Sequence, residues 1–368
     1  MIVGVPREIK PHEYRVGLTP AGVRSLVEDG RTVLVEEEAG SGSGLDNEQY
    51  LAAGARLVSS AAEVYARAEL IIKVKEPQPE EYDLMQPDQA LFTYLHLAPN
   101  PKLTRLLMDR RITGIAYETV QADDGCLILL QPMSEIAGRM SVQVGAHFLQ
   151  KEMGGKGVLL GGAPGVRPGK VVILGAGSVG GNAVRIAVGM GADVTVLDID
   201  PTRLAALDDH YGNHILTLIA NSQNIEDEVR RADLVVGAVL VTGARTPVLV
   251  SETLVSKMSE GSVIVDVAVD QGGCIATTRP TSHDTPIHLV HGVLHYGVAN
   301  MPGAVSRTST FALTNSTLPY IRKISRLGPE AALAEDPIFR RGINTCQGRL
   351  CNKAVADSLG LPFEPYGG

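Results

Sequence analysis

Cysteine is scarce in this chain: four residues in 368, at positions 126, 274, 346 and 351, with no Cys-x-x-Cys pair and no histidine at zinc-ligand spacing. That excludes a disulfide scaffold and a structural zinc, and leaves four reduced, mostly buried thiols as the expectation. Cys346 and Cys351 are near neighbours, but two ligands make a poor metal site, so no metal is expected. Long apolar runs are missing too. None approaches the ~20 residues that a membrane helix needs. The opening Met-Ile-Val-Gly-Val-Pro-Arg-Glu puts charge where a signal peptide requires a hydrophobic region. A cytoplasmic protein is therefore expected, with no membrane partner. Basic tracts are absent and the net charge is −8, which argues against a nucleic-acid partner. There is no internal repeat and no low-complexity segment.

The chain does have enough apolar residues, 44% of the total, to build a sizeable core, and at 368 residues two domains are expected. One segment stands out. Lys170-Val-Val-Ile-Leu runs into Gly175-x-Gly177-x-x-Gly180, a helix-compatible stretch follows to about Met190, and a second apolar run, Val194 to Leu197, ends at Asp198. Each part suits a dinucleotide. Gly175 permits the tight turn off the strand, Gly177 lets the backbone approach a pyrophosphate, and Gly180 allows close helix–strand packing. The pyrophosphate would sit at the helix N-terminus, where unpaired N–H groups favour an anion. Asp198 stands about 20 residues beyond the middle glycine, where a carboxylate accepts hydrogen bonds from ribose hydroxyls and repels a 2′-phosphate. NAD(H) is thus expected over NADP(H), with Arg203 nearby as the one feature pointing the other way.

The first third alternates apolar strands (Ile2 to Val5, Thr32 to Glu36, Leu70 to Val74, Ala90 to Tyr94) with helical segments near Pro20 to Asp29, Asn47 to Ala53 and Ala61 to Arg67. That alternation implies parallel strands joined by crossover helices. A long helical pattern carrying Ile136, Met140, Val144 and Phe148 follows, with Ser134 as its expected N-cap and Gly154-Gly155 as its end. Further strands are expected at Leu234 to Val239, Val263 to Val267, Ile287 to Val290 and His295 to Val298. A helix from Ala304 to about Ile324 and another from about Ile343 to Ser358 close the chain. The expected fold class is α/β: a Rossmann domain with a doubly wound parallel sheet (residues 132–303), inserted in a discontinuous α/β substrate domain (1–131 and 304–368).

A nucleotide domain supplies a hydride acceptor but no substrate site, so the first domain must provide groups that bind something small. Arg15 lies in the charged loop Pro6 to Val16. Lys75 and His96 follow apolar strands, at the edge where open α/β sheets place ligands. Asp270 ends the run that begins at Val263. Each residue also has a structural reading: a solvated side chain or an ion pair with Glu13 or Glu76 for Arg15 and Lys75, a satisfied core or surface group for His96, a turn carboxylate for Asp270. His12, His291 and His295 are read as structural.

These residues sit within long composite strings that resemble the alanine dehydrogenases: Val3-Gly-Val-Pro-Arg-Glu-Ile-Lys, Arg15-Val-Gly-Leu-Thr-Pro, Val74-Lys-Glu-Pro, Tyr94-Leu-His-Leu-Ala, Pro132-Met-Ser-Glu-Ile-Ala-Gly, the glycine loop, Asp266-Val-Ala-Val-Asp-Gln-Gly-Gly and Val298-Ala-Asn-Met-Pro-Gly-Ala-Val. The resemblance runs nearly the full length. It implies NAD-dependent, reversible oxidative deamination of L-alanine to pyruvate and ammonia by a homohexamer. It makes Arg15 and Lys75 substrate binders, His96 the acid/base and Asp270 the second catalytic group. It places the cofactor against Ser134, Gly175, Gly177, Ser178, Val179, Gly180, Asp198, Arg203, Val239, Leu240, Val267, Ala268, Val269, Val298, Ala299, Asn300 and Met301. Ala220 departs from the serine common in that family beside the adenine, which removes one hydrogen bond there. The chemistry agrees with these roles: a guanidinium fork suits a carboxylate, an ammonium polarises a carbonyl, and an imidazole titrates near neutral pH. Two rival readings remain, a soluble NAD(H)-binding subunit of a proton-translocating transhydrogenase and a dehydrogenase of another amino acid.

Overall fold

The computed structural model describes residues 1–239 and 246–367. The chain divides into two compact units, Met1–Met133 with Gly303–Gly368, and Ser134–Pro302. The first unit opens with six strands: β1 (Ile2–Val5), β2 (Thr32–Glu36), β3 (Arg56–Val58), β4 (Leu70–Ile72), β5 (Ala90–Thr93) and β6 (Thr113–Ala116). Most of their residues are buried, as the continuous apolar runs require of strands covered on both faces. All six pair in parallel, in the order β6-β5-β4-β1-β2-β3. The chain therefore builds outward from β1 in one direction, returns, and builds the other way from β4. The connecting helices carry legible start signals. Thr19, Asp46 and Ser60 cap the helices Pro20–Glu28, Asn47–Ala52 and Ala61–Arg67. One core layer packs Val64 and Tyr65 from the last of these helices, and Leu103 and Leu107 from the helix Pro101–Asp109, against Ile71 and Leu91 of the sheet. Each such side chain contributes about 1.5–3 kcal/mol by leaving water.

The second unit holds β7 (Lys170–Leu174), β8 (Asp193–Asp198), β9 (Ile215–Ile219), β10 (Leu234–Gly237), β11 (Val263–Asp266), β12 (Ile287–Val290) and β13 (Val293–Tyr296). Their order is β12-β13-β11-β10-β7-β8-β9, parallel except for the β12–β13 hairpin. The sheet is doubly wound, with its switch point between β7 and β10. Its core gathers Val172, Leu174, Val235 and Ile264 with Ile225, Val229, Val255 and Ile275. After the second unit, β14 (Ile343–Cys346) joins the first sheet antiparallel to β6, and β15 (Arg349–Leu350) pairs antiparallel to β14.

Several expectations need correction. The segment 343–358, read as one helix, is a hairpin followed by the helix Lys353–Leu359. Gln347 and Gly348 both take positive φ, 50° and 81°, the conformation of a tight hairpin turn. The open edge of β6 recruits the strand, and tertiary pairing overrides local helical preference. Ser134 is not an N-cap: the helix already starts at Gln131, because Pro132 fits a first turn that needs no N–H. That helix ends at Phe148, short of Gly154-Gly155. The helix expected from Ala304 runs from Ser306 to Leu327, behind a single 3₁₀ turn. The last parallel strand is Val293–Tyr296 rather than His295–Val298, and β3, β6 and β9 were not expected at all.

Candidate active site

The loops after β1, β4, β5 and β6 leave the first sheet at its carboxyl edge, around the switch between β1 and β4, where open α/β sheets hold ligands. Arg15, in the loop after β1, is 2% exposed. Its Nε and Nη2 donate to the two oxygens of Glu13 at 2.6 and 2.5 Å, and Nη1 donates to Met133 Sδ at 3.1 Å. The guanidinium is thereby locked in one orientation. Of the two structural pairings considered for the loop cations, that with Glu13 exists, whereas Glu76 pairs with Lys10 at 2.5 Å and not with Lys75. Lys75 stands three residues beyond β4. Burial, reinforced by the Arg15 guanidinium, holds its ammonium below the usual lysine range. Its Nζ lies 6.0 Å from the centre of the Tyr94 ring. The His96 ring stacks on the same Tyr94, centroids 6.0 Å apart and planes 9° from parallel. Tyr94 is thus a common neighbour of both, and its hydroxyl donates to Leu129 O.

His96 holds a φ of 44°, a left-handed conformation that costs a non-glycine residue free energy. Glu118 sustains it. One oxygen of its carboxylate accepts the Leu95 and His96 N–H groups at 3.1 and 2.6 Å and stands 3.7 Å from His96 Nδ1. The loop after β4 has a comparable anchor in Glu8, whose carboxylate accepts Val74 N–H at 2.6 Å and Lys75 N–H at 3.4 Å. Glu8 is paired with the fully buried Lys73, which also bridges to Glu81. Glu8, Lys73 and Glu118 escaped the reading from sequence, which attended to groups that could act on a substrate. Glu118 had the same signal as His96, a polar residue just past an apolar run.

In the second unit the glycines act as spacing predicts. Gly175 has φ 105°, and a Cβ at Gly180 would lie 1.8 Å from Gly175 O. A Cβ at Gly177 would meet nothing nearer than Arg203 Nη1 at 3.7 Å, so its space is open for a ligand. The helix Ser178–Gly189, which includes Val179, starts at Gly177 with no side-chain cap, leaving its first amides for an anion. Asp198, at the end of β8, accepts N–H bonds from Ala176 at 2.5 Å and Asp200 at 2.8 Å. It therefore ties the glycine loop to β8 while keeping lone pairs for ribose hydroxyls. Arg203 also reaches Asp200, at 3.5 Å. Val239 follows β10, Val267, Ala268, Val269 and Asp270 follow β11, and Val298, Ala299, Asn300 and Met301 follow β13, all at the carboxyl edge. Leu240 lies outside the described residues. Ser134 is in the first turns of the helix Gln131–Phe148 rather than at a strand end.

Asp270 is exposed on the 3₁₀ turn Val269–Gln271. That turn is organised by Asp266, whose carboxylate accepts N–H bonds from Ala268, Cys274 and Ile275. His295 has no exposed surface, bonds Thr277 and Val293 O, and is pushed down to about 4 by burial, so it is a neutral structural ring. His291 pairs with Glu252. All four cysteines are free thiols. Among the described residues no group of His, Cys, Asp and Glu could hold a metal ion, and no helix is long and apolar enough to cross a membrane.

Two family models match this chain: the alanine dehydrogenase/PNT N-terminal domain over residues 4–137 and the C-terminal domain over residues 141–353. The chain belongs to the alanine dehydrogenase/PNT family. An alanine dehydrogenase of Methanococcus maripaludis is 57% identical over 366 residues, covering 99% of this chain and 98% of the relative. That of Staphylococcus haemolyticus is 53% identical over 364 residues, 99% and 97% of the two chains. A solved L-alanine dehydrogenase superposes with a TM-score of 0.96 at 54% identity, covering 98% and 99%. A transhydrogenase from Sinorhizobium meliloti, at 23% identity and a TM-score of 0.81 over 96% of this chain and the whole of that one, shares the fold.

Proposed function

We propose that the protein is an NAD-dependent L-alanine dehydrogenase, interconverting L-alanine with pyruvate and ammonia. The observation that carries this reading is the set Arg15, Lys75, Tyr94 and His96 on the carboxyl edge of the first sheet. Two cations there suit a carboxylate, and a nucleotide carrier of the transhydrogenase kind has no need of them. Glu13 occupies the Nε–Nη2 edge of Arg15, so the substrate carboxylate meets the guanidinium on its Nη1 side, beside Met133, with Lys75 polarising the carbonyl. His96 moves the proton at the substrate nitrogen and at the attacking water, and Asp270 steadies the developing iminium charge. NAD would supply the hydride acceptor for the substrate Cα. The uncapped helix start at Gly177 to Gly180 would hold its pyrophosphate, Asp198 its ribose, and the strand-end residues from Val239 to Met301, together with Ser134, the remainder. The absorbance of NADH rising when the protein is mixed with NAD and L-alanine at alkaline pH tests the reading, and a flat trace would sink it. Steady-state rates across an amino-acid panel separate alanine from larger substrates. The reading extends to a cytoplasmic homohexamer. Leu159 and Val166, exposed before β7, are apolar surface that assembly would cover, and a light-scattering mass checks it.

Asp198→Ala is expected to relax the preference against NADP(H) and to weaken NAD(H) as well, since the Ala176 amide loses its acceptor. Comparing kcat/KM for the two cofactors measures both effects. Lys75 provides a pH dependence. Its ammonium, flanked by Arg15, Lys10, Glu13 and Glu76, loses its proton below the ordinary lysine range, so pyruvate binding weakens as pH rises through that lowered value. Lys75→Arg should move the inflection in pyruvate KM to higher pH, because a guanidinium stays charged. An unmoved inflection would assign the titration to another group.

A further inference from the structure

Resting on the reading of Lys75 as a substrate binder, we propose that Glu8 is its positioning residue, holding the turn after β4 through the Val74 and Lys75 amides while Lys73 neutralises it from within the core. The turn is secured on two sides by different means. Its carbonyls are held by residues at the ends of β5 and β6: Tyr117 Oη donates to Lys73 O, Tyr94 N–H to Val74 O and Thr93 Oγ1 to Lys75 O. Of its amides, that of Lys73 donates to Phe92 O, and those of Val74 and Lys75 donate to Glu8 Oε1 at 2.6 and 3.4 Å. The other oxygen of Glu8 faces Lys73 Nζ at 3.2 Å, and Glu81 Oε1 reaches the same ammonium at 2.9 Å. Tyr65 donates to Glu81 in turn, at 3.0 Å.

Lys73 is fully buried and the two carboxylates are nearly so. Buried ion clusters of this kind contribute little net stability relative to apolar packing, and one well-attested use of them is to specify a single arrangement. Here the arrangement specified is a loop-to-loop register. Glu8 sits 66 residues before Val74, in the loop after β1 that also carries Arg15, so one carboxylate ties the two substrate-binding cations to a common frame. Lys75 itself has a long flexible side chain, and the backbone it departs from decides which directions its ammonium can take.

The experiment is a double-mutant cycle on the full-length protein, read in the amination direction as pyruvate KM, kcat and NADH dissociation constant. Glu8→Ala leaves Lys73 paired with Glu81, so the core keeps a neutral pair and the variant is expected to fold. It should raise pyruvate KM roughly 10- to 100-fold, the size of a lost charge-assisted hydrogen bond, with kcat changed less and NADH binding unchanged. Glu8→Gln retains one acceptor oxygen for the amides and should recover part of the loss. In a Lys75→Ala background, Glu8→Ala should add less than about twofold, because residues acting through one another are non-additive. Equal cost with and without Lys75 would overturn the proposal, and so would a parallel loss of kcat and NADH affinity, which marks general unfolding. A normal pyruvate KM in Lys75→Ala alone would instead overturn the substrate-binding reading, and the proposal with it.

Discussion

Replacing His96 with asparagine should lower turnover by ~100- to 10,000-fold, the usual loss on removing a general acid/base, while the NADH dissociation constant stays within a factor of two. Asparagine is the informative substitution. His96 holds φ at 44°, and asparagine tolerates the left-handed region where alanine would add backbone strain. The Glu118 bonds to the Leu95 and His96 amides are untouched by the change, so the loop keeps its shape and the loss reports on the imidazole. Turnover within a factor of a few of the parent would remove His96 from the mechanism. Glu118→Gln, which keeps an acceptor for those amides but removes the carboxylate 3.7 Å from Nδ1, should lower turnover less than the His96 replacement does.

Arg15→Met should abolish detectable pyruvate binding and destabilise the first unit by about 3–5 kcal/mol, the cost of leaving one member of a buried ion pair without its partner. The group that loses Arg15 is Glu13. Its side chain has no exposed surface, and although burial pushes the carboxyl up, the hydrogen bonds from Arg15 hold it below the usual carboxylate range. Adding Glu13→Gln to Arg15→Met should restore most of the melting temperature, because the buried charge is gone, without restoring activity. That split separates the two duties of Arg15. If the single variant melts with the parent, the pair has no structural role. If the double variant regains turnover, Arg15 is not a substrate ligand. Arg15→Lys should fall between, keeping a charge but losing the second bond to Glu13.

The strand-end logic explains what could be read without coordinates. Lys75 and His96 were visible because each follows an apolar run, and the carboxyl edge of a parallel sheet is where ligands go. The glycine loop was visible because each glycine answers a local steric demand, and Asp198 because its distance along one βαβ unit is set by the length of a strand and a helix. Caps at Thr19, Asp46 and Ser60 likewise mark helix starts through contacts spanning three residues. The 343–358 segment was misread because its strand exists only through the edge of β6, more than 200 residues earlier.

The carboxylates that hold the loops after β4 and β5 had no such local signal of that role. Lys73 in Leu70-Ile-Ile-Lys-Val looks like a solvated side chain, and only the packing of the loop after β1 against β4 makes it a buried counter-ion for Glu8 and Glu81. Sequence alone determined the fold class, the nucleotide loop and the identities of the cations, since these depend on neighbours within a turn or a single βαβ unit. Only the tertiary structure decided which carboxylate restrains which loop. That choice depends on β1 pairing with β4 as well as β2, and apolar parallel strands of similar length carry no local label for their partners.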